Sequence, residues 1–143
     1  IDIDALLESL AEDSAALGRP IGIEGKAWSS YPGRLSALRR GIQNLIDNAF
    51  KYGTAPRLRI EDSPDVLRVI VEDDGPGIPP EALTRVTEPY YRPDAARASS
   101  TGGVGLGLSI VKDVALLHGG ELRIANRPQA GVQAILELPR KTV

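Results

Sequence analysis

With 143 residues, 42% of them hydrophobic and 25% charged, the chain is long enough for one globular domain with a real apolar core. A formal net charge of -2 and few basic clusters give no electrostatic case for nucleic acid or a membrane surface, zero Cys excludes disulfides and thiolate metal sites, and one His excludes a His-rich metal cluster. No long apolar run or signal-like start is present, and the abrupt amphipathic beginning is that expected of a piece cut from a larger protein.

Asp4 is placed to cap a first helix that runs to about Gly18, with Ile3, Leu6, Leu7, Leu10 and Leu17 as its apolar stripe. A short strand over residues 20–24 and a loop holding Trp28, Tyr31, Pro32 and Gly33 follow. A long helix is expected over residues 34–52, its apolar side formed by Leu35, Leu38, Ile42, Leu45, Ile46 and Ala49. Strands over 57–61 and 66–73 are joined by Asp62-Ser63-Pro64-Asp65, a natural hairpin turn. Gly75-Pro76-Gly77-Ile78-Pro79-Pro80 reads as loop, and residues 85–103 lack any sustained period. A helix over 105–118, with Leu106, Ile110, Val114 and Leu117 on its apolar stripe, closes at Gly119-Gly120; strands over 121–125 and 132–138 end the chain. This order predicts a single α+β unit over residues 1–143, a two-layer sandwich with helices on one face of a mixed, mostly antiparallel sheet.

Three segments carry chemistry. In Asn44-Leu45-Ile46-Asp47-Asn48-Ala49-Phe50-Lys51-Tyr52, a rotation of about 100° per residue gathers Asn44, Asn48, Lys51 and Tyr52 within roughly a quarter-turn, opposite the apolar side. Asn is a mediocre helix former because its amide competes for backbone groups, so two of them one turn apart need a reason: a bound polar ligand, or simply a solvated face. In the strand that ends Val71-Glu72-Asp73-Asp74, alternation puts Leu67, Val69, Val71 and Asp73 on one side and Arg68, Glu72 and Asp74 on the other. Asp73 should therefore point inward, where a carboxylate needs a hydrogen-bond donor such as an exocyclic amino group of adenine, and Gly75 and Gly77 would let a flat ligand approach the backbone. The rival reading is a plain Asp-Asp-Gly turn.

The third segment, Gly102-Gly103-Val104-Gly105-Leu106-Gly107-Leu108, runs into a helix, and its free N–H groups suit phosphate oxygens as well as they suit a hinge. Two other phosphate motifs do not fit. Gly25-Lys26 is followed by Ala27 rather than a hydroxyl residue, and Gly103-Val104-Gly105 does not follow a predicted strand.

Taken in order, these segments resemble the N, G1 and G2 boxes of the catalytic ATP-binding domain of bacterial sensor histidine kinases, in the superfamily that includes DNA gyrase and mismatch-repair ATPases. Asn44-x-x-x-Asn48-Ala49-x-Lys51-Tyr52, Asp73-x-Gly75-x-Gly77 and Gly103-x-Gly105-Leu106-Gly107-Leu108 carry the likeness, supported by His118-Gly119-Gly120, Asn126, Gly131 and Leu138-Pro139, so that it covers nearly the whole chain.

The resemblance implies a Bergerat-type sandwich with ATP between the long helix and the glycine loops, beneath a lid at residues 85–103. It implies that Asp73 accepts the adenine amino group, that Asn44 and Asn48 hold Mg²⁺ through their carbonyl oxygens, that Lys51 reaches the phosphates and that Tyr52 packs near the base or sugar. Gly75, Gly77, Ile78, Gly103, Val104, Gly105, Leu106, Gly107 and Leu108 would line the nucleotide, and Arg92 would be a further phosphate contact. Mg²⁺ favours hard oxygen ligands and phosphates, which agrees with two amides.

In the hydrolysing relatives a Glu stands where Asn44 stands, and an amide has no useful basicity, so phosphoryl transfer is favoured over hydrolysis. The acceptor is expected elsewhere. His118, followed by two glycines, is read as structural, and the phosphorylated His would lie on a separate dimerisation domain of the same protein, which would form the homodimer and serve a response regulator. This piece would be monomeric and cytoplasmic, within a parent that could be an inner-membrane sensor. In Arg85-Val86-Thr87-Glu88-Pro89-Tyr90-Tyr91-Arg92, which resembles the family's F box, Thr87 and Tyr90 replace the usual Phe residues and alter the docking surface of the lid. Two alternatives stay open: a nucleotide-sensing module without transfer, and a clamp-type ATPase.

Overall fold

A computed structural model of the protein describes residues 1–77, 108–128 and 130–140, except for the side chain of Tyr52. In chain order the elements are α1 (Ile3–Ala16), β1 (Gly22–Glu24), α2 (Leu35–Tyr52), β2 (Arg57–Asp62), β3 (Val66–Glu72), α3 (Leu108–Leu117), β4 (Glu121–Asn126) and β5 (Val132–Pro139). The five strands form one sheet in the order β1-β2-β3-β5-β4. β1 runs parallel to β2, with Gly22 opposite Arg57, and the remaining pairs are antiparallel.

The three helices cover one face of that sheet. Leu6, Leu7 and Leu10 of α1, Leu38, Ile42, Leu45 and Ile46 of α2, and Val111 and Ala115 of α3 meet Leu58, Leu67, Val69, Leu136 and Leu138 of the strands in one buried cluster. Burying each such Leu or Ile contributes about 1.5–3 kcal/mol relative to leaving it exposed. The expected α+β sandwich is therefore the observed one, and strand alternation supplies its inner face.

The sheet's other face carries a ladder of opposite charges. Arg59 bonds Glu72 at 2.8 Å and also meets Glu61, while Glu137 takes Arg68 at 2.7 Å and Arg123 at 3.1 Å. Ile70, opposite Arg59 on one neighbour strand and Ile135 on the other, is buried on this face. Long Arg and Glu stems can cover an apolar side chain while their charged ends stay wet.

Several local expectations are corrected. The cap of α1 is Asp2, whose carboxylate accepts the Ala5 N–H at 3.0 Å, the N3 position that an N-cap side chain serves. Asp4 lies inside the helix and instead accepts the Ala27 N–H at 3.0 Å, tying α1 to the loop after β1. Leu17 and Leu35, both assigned to apolar stripes, are exposed: the first is the C-cap of α1 and the second the first residue of α2, where the helix rises off the core.

The stripe of α3 is Leu108, Val111, Val114 and Ala115, while Leu117 is exposed; small Ala115 takes a core position that the count of large apolar residues overlooked. The end of α3 is as expected. Gly119, at φ +75°, lets Gly120 N–H reach Ala115 O at 2.8 Å and Gly119 N–H reach Leu116 O at 3.0 Å, a Schellman closure.

Candidate nucleotide site

α2 delivers the amide stripe. Asn44 and Asn48 lie one turn apart, both half-buried, and Lys51 is exposed in the last turn. The helix then stops at Gly53, whose extended backbone (φ -115°, ψ -169°) leads Thr54 away from the axis and toward the end of β3.

There the two segments meet. Asp73 is only 6% exposed, just past the end of β3, and its Oδ1 accepts the Gly75 N–H at 2.7 Å. Backbone N–H groups of Thr54 and Val132 lie near enough to favour its charged form. Asp73 N–H donates to Val132 O at 3.0 Å, and Asp74 N–H donates to Thr54 O at 2.7 Å. A Cβ added at Gly53 would stand 2.3 Å from Asp73 Cγ, so only glycine lets the end of α2 come this close.

Among the described residues no guanidinium or ammonium pairs with the Asp73 carboxylate. Burial pushes the carboxyl above its ordinary range, the N–H groups of Gly75, Thr54 and Val132 pull it back, and the charge of Asp74 adds to the rise. A carboxylate has about four acceptor positions, so the Gly75 hydrogen bond leaves capacity for a further donor.

Asp74 points the other way, as alternation requires. Arg57 reaches it with two bonds of 3.2 Å and Arg127 with one of 2.6 Å, and these guanidiniums hold its carboxyl below the usual range. The turn between β4 and β5 lies against the same segment. A Cβ on Gly131, at φ +86°, would fall 1.9 Å from Asp73 O, and one on Gly77, also at φ +86°, 2.8 Å from the Asn126 side-chain oxygen.

Of the residues expected at the site, Asp73 and Gly75 adjoin Gly53 at the end of the helix that carries Asn44, Asn48 and Lys51, while Gly77 packs on the turn between β4 and β5. Ile78, Arg92, Gly103, Val104, Gly105, Leu106 and Gly107, and with them the expected lid at 85–103, lie outside the described residues, as does the side chain of Tyr52. Leu108 begins α3 with its side chain buried in the core, leaving its backbone for any ligand. Four residues of this arrangement were missed. Gly53 and Thr54 follow the amide helix directly, and Arg127 lies between Asn126 and Gly131; Gly131 itself carried the likeness without an assigned contact.

His118 has a structural environment. Its Nε2 accepts the Arg34 N–H at 3.0 Å, so Nδ1 carries the proton that it donates to Val114 O at 2.8 Å, and the ring bridges the end of α3 to the start of α2.

Comparison with known proteins places the chain. Residues 33–142 match the model of the histidine kinase-, DNA gyrase B- and HSP90-like ATPases. Over 141 residues it is 43% identical to the sensor histidine kinase GtrS of Pseudomonas aeruginosa, covering 98% of this chain and 28% of the relative. It is 38% identical over 138 residues to the phosphate regulon sensor protein PhoR of the same organism, covering 92% and 31%. The chain thus spans about three-tenths of the length of these curated relatives. Among solved structures it is similar to the mycobacterial sensor histidine kinase MprB, with a TM-score of 0.79, 31% identity and coverage of 97% and 96%. The ATP binding domain of PrrB from Mycobacterium tuberculosis gives 0.74 and 27%, with coverage of 99% and 96%. The chain belongs to the histidine kinase-, DNA gyrase B- and HSP90-like ATPase family, as an ATP-binding catalytic domain of the sensor histidine kinase kind.

Proposed function

We propose that this chain binds ATP with Mg²⁺ against the α2 stripe and Asp73, and transfers the terminal phosphoryl group to a His on a separate dimerisation domain of its parent protein. The observation that carries the reading is the cradle of Asp73: a buried acid hydrogen-bonded to the Gly75 N–H, with the N–H groups of Thr54 and Val132 nearby, beside glycines at 53 and 75 whose missing side chains leave the backbone bare. An adenine amino group supplies the donor that such an acid lacks.

The donor set fits Mg²⁺ as well. Asn44 and Asn48 offer two amide oxygens one turn apart on one helix face, and Mg²⁺ completes its shell with water and phosphate oxygens. When bound, the ion neutralises charge on the triphosphate. Lys51 adds a positive charge at the same end of α2, and Arg92 is assigned a phosphate contact from its position in the F-box-like segment. Residues 103–108 would close over the phosphates with backbone N–H groups.

Phosphoryl transfer asks mainly for such positioning and charge neutralisation. In the transfer, a ring nitrogen of the acceptor His bonds to the terminal phosphorus as the bond to the bridging oxygen breaks, and ADP leaves with that electron pair. Asn44, unable to take a proton from water, leaves hydrolysis without a base at this position. A response regulator would then receive the group from the dimerisation domain, on the cytoplasmic side of a parent that could be an inner-membrane sensor.

Calorimetric titration of the chain with a non-hydrolysable ATP analogue and Mg²⁺ tests the binding step, and absence of heat would overturn the proposal. Adding a cognate His-bearing dimerisation domain and labelled ATP tests the transfer. Acid-labile phosphate on that domain is expected; rapid release of inorganic phosphate by the chain alone would instead assign it as a clamp-type ATPase.

A further inference from the structure

We infer that Arg127 is a positioning residue for the adenine-reading carboxylate: it acts on Asp73 from behind, through the main chain, without touching the ligand. The inference rests on the assignment of Asp73 as the adenine acceptor.

The regular ladder between β3 and β5 ends where Glu72 faces Gln133, one residue before Asp73. The Asp73 N–H is still satisfied, by Val132 O at 3.0 Å. Its carbonyl needs a partner from elsewhere, since a backbone acceptor left unpaired away from water is costly. Arg127 supplies it: Nη1 donates to Asp73 O at 2.9 Å and to Asp74 Oδ1 at 2.6 Å, while Nε faces Glu72 Oε2 at 3.0 Å. One planar guanidinium thus grips three consecutive residues, which a point-like ammonium cannot do.

The grip is itself anchored. The Arg127 N–H donates to Gly131 O at 2.8 Å, closing the turn whose Gly131 packs directly on the Asp73 carbonyl. Asp73 therefore has its N–H, its carbonyl and its carboxylate each fixed by a different segment. Tilting the peptide that Arg127 holds would swing the carboxylate through a comparable distance, and recognition groups need placement to within about 0.5 Å.

The test compares binding of ADP with that of purine riboside 5′-diphosphate, which lacks the 6-amino group, by calorimetry on the 143-residue chain. The wild type is expected to prefer ADP, and Asp73→Asn to lose the preference. Arg127→Gln should lower the ADP preference about fivefold, the scale of one net hydrogen bond. Arg68→Gln, which removes an arginine bonded to Glu137 on the same sheet face, should keep it. A general loss of stability lowers the melting temperature but does not change this ratio in the folded protein.

Should Arg127→Gln fail to fold, Arg127→Lys provides the same readout with the charge retained, and it too should lose preference. If Asp73→Asn abolishes the preference while both Arg127 variants keep the wild-type ratio, the positioning role is overturned and the nucleotide reading stands. If Asp73→Asn keeps the ratio, the reading of Asp73 falls instead.

Discussion

The β2–β3 hairpin has a buried carboxylate near each end, and the two are held in opposite ways. Asp62, its side chain 1% exposed, receives the Arg140 guanidinium at 2.7 and 2.9 Å and the Trp28 N–H at 2.8 Å. Burial pushes its carboxyl up, but Arg140 and the N–H groups of Trp28 and Ser63 outweigh that and hold it below the usual carboxylate range. Arg140 also donates to Ser29 O and Ser30 O, so the pair staples the loop before α2 to the sheet. A hollow of about 560 Å³ lies beside it, lined by Trp28, Pro32 and Pro64.

Asp73, at the other end, is 6% exposed, but among the described residues its carboxylate has only neutral backbone N–H groups about it, and its carboxyl is pushed upward. The contrast separates a closed structural pair from an acid with recognition capacity in reserve. Burial by itself does not mark a site, and neither does a hollow. What distinguishes Asp73 is that, among the described residues, no cation pairs with its carboxylate.

Replacing each acid should separate the two ends most sharply. Asp73→Asn is expected to cost nucleotide affinity about a hundredfold or more by calorimetry, because an amide presents a donor where the ligand also presents one. Asp62→Asn should leave affinity intact and lower stability by about 2–3 kcal/mol in denaturant unfolding, since the guanidinium loses its charged partner. The opposite assignment, binding lost at 62 and stability lost at 73, would reverse the comparison.

Asn48→Ala should weaken Mg²⁺-dependent ATP binding about tenfold while leaving the thermal midpoint within a few degrees, on the scale of one lost ligand. A large drop in that midpoint would make the amide structural.

Acid titration sharpens the same contrast. A ligand N–H favours ionised Asp73, whose free carboxyl is raised, so affinity is full above that raised value and falls as pH drops through it. The Asp62 contribution to stability is present above its ordinary value of 3.8 and is lost only as pH falls below it, through the lowered value. Binding should therefore fade at a higher pH than folding, measurable by calorimetry and thermal melts across one pH series. The smallest effect belongs to Asp74→Asn, expected to change affinity less than about threefold, because that carboxylate faces outward to Arg57 and Arg127 and its loss resembles that of exposed ion pairs.

Much of this contrast was legible in the chain. Alternation along β3 assigned Asp73 and Asp74 to opposite environments, and the 3.6-residue period put the amides opposite the core of α2; both follow from backbone geometry alone. What alternation could not reveal is which buried acid has a cation. Arg140 lies 78 residues from Asp62, and Arg127 reaches Asp73 O across 54, through pairings set by the sheet rather than by local pattern. Gly53 escaped notice for a related reason: its need for a hydrogen side chain comes from Asp73, twenty positions on. The misplaced α1 cap shows the local counterpart, since Asp2 and Asp4 are both good N-cap residues and the loop at Ala27 decides between them.

The central claim is that a magnesium-bound adenine nucleotide docks at the Asp73 end of the sheet. Amide NMR of the chain titrated with a non-hydrolysable ATP analogue and Mg²⁺ tests it most directly. The account predicts the largest shifts at Gly53, Thr54, Gly75 and Val132, with Trp28, Ser29 and Arg140 unmoved. Shifts centred on Trp28 and Arg140, or none at saturating analogue, would contradict it.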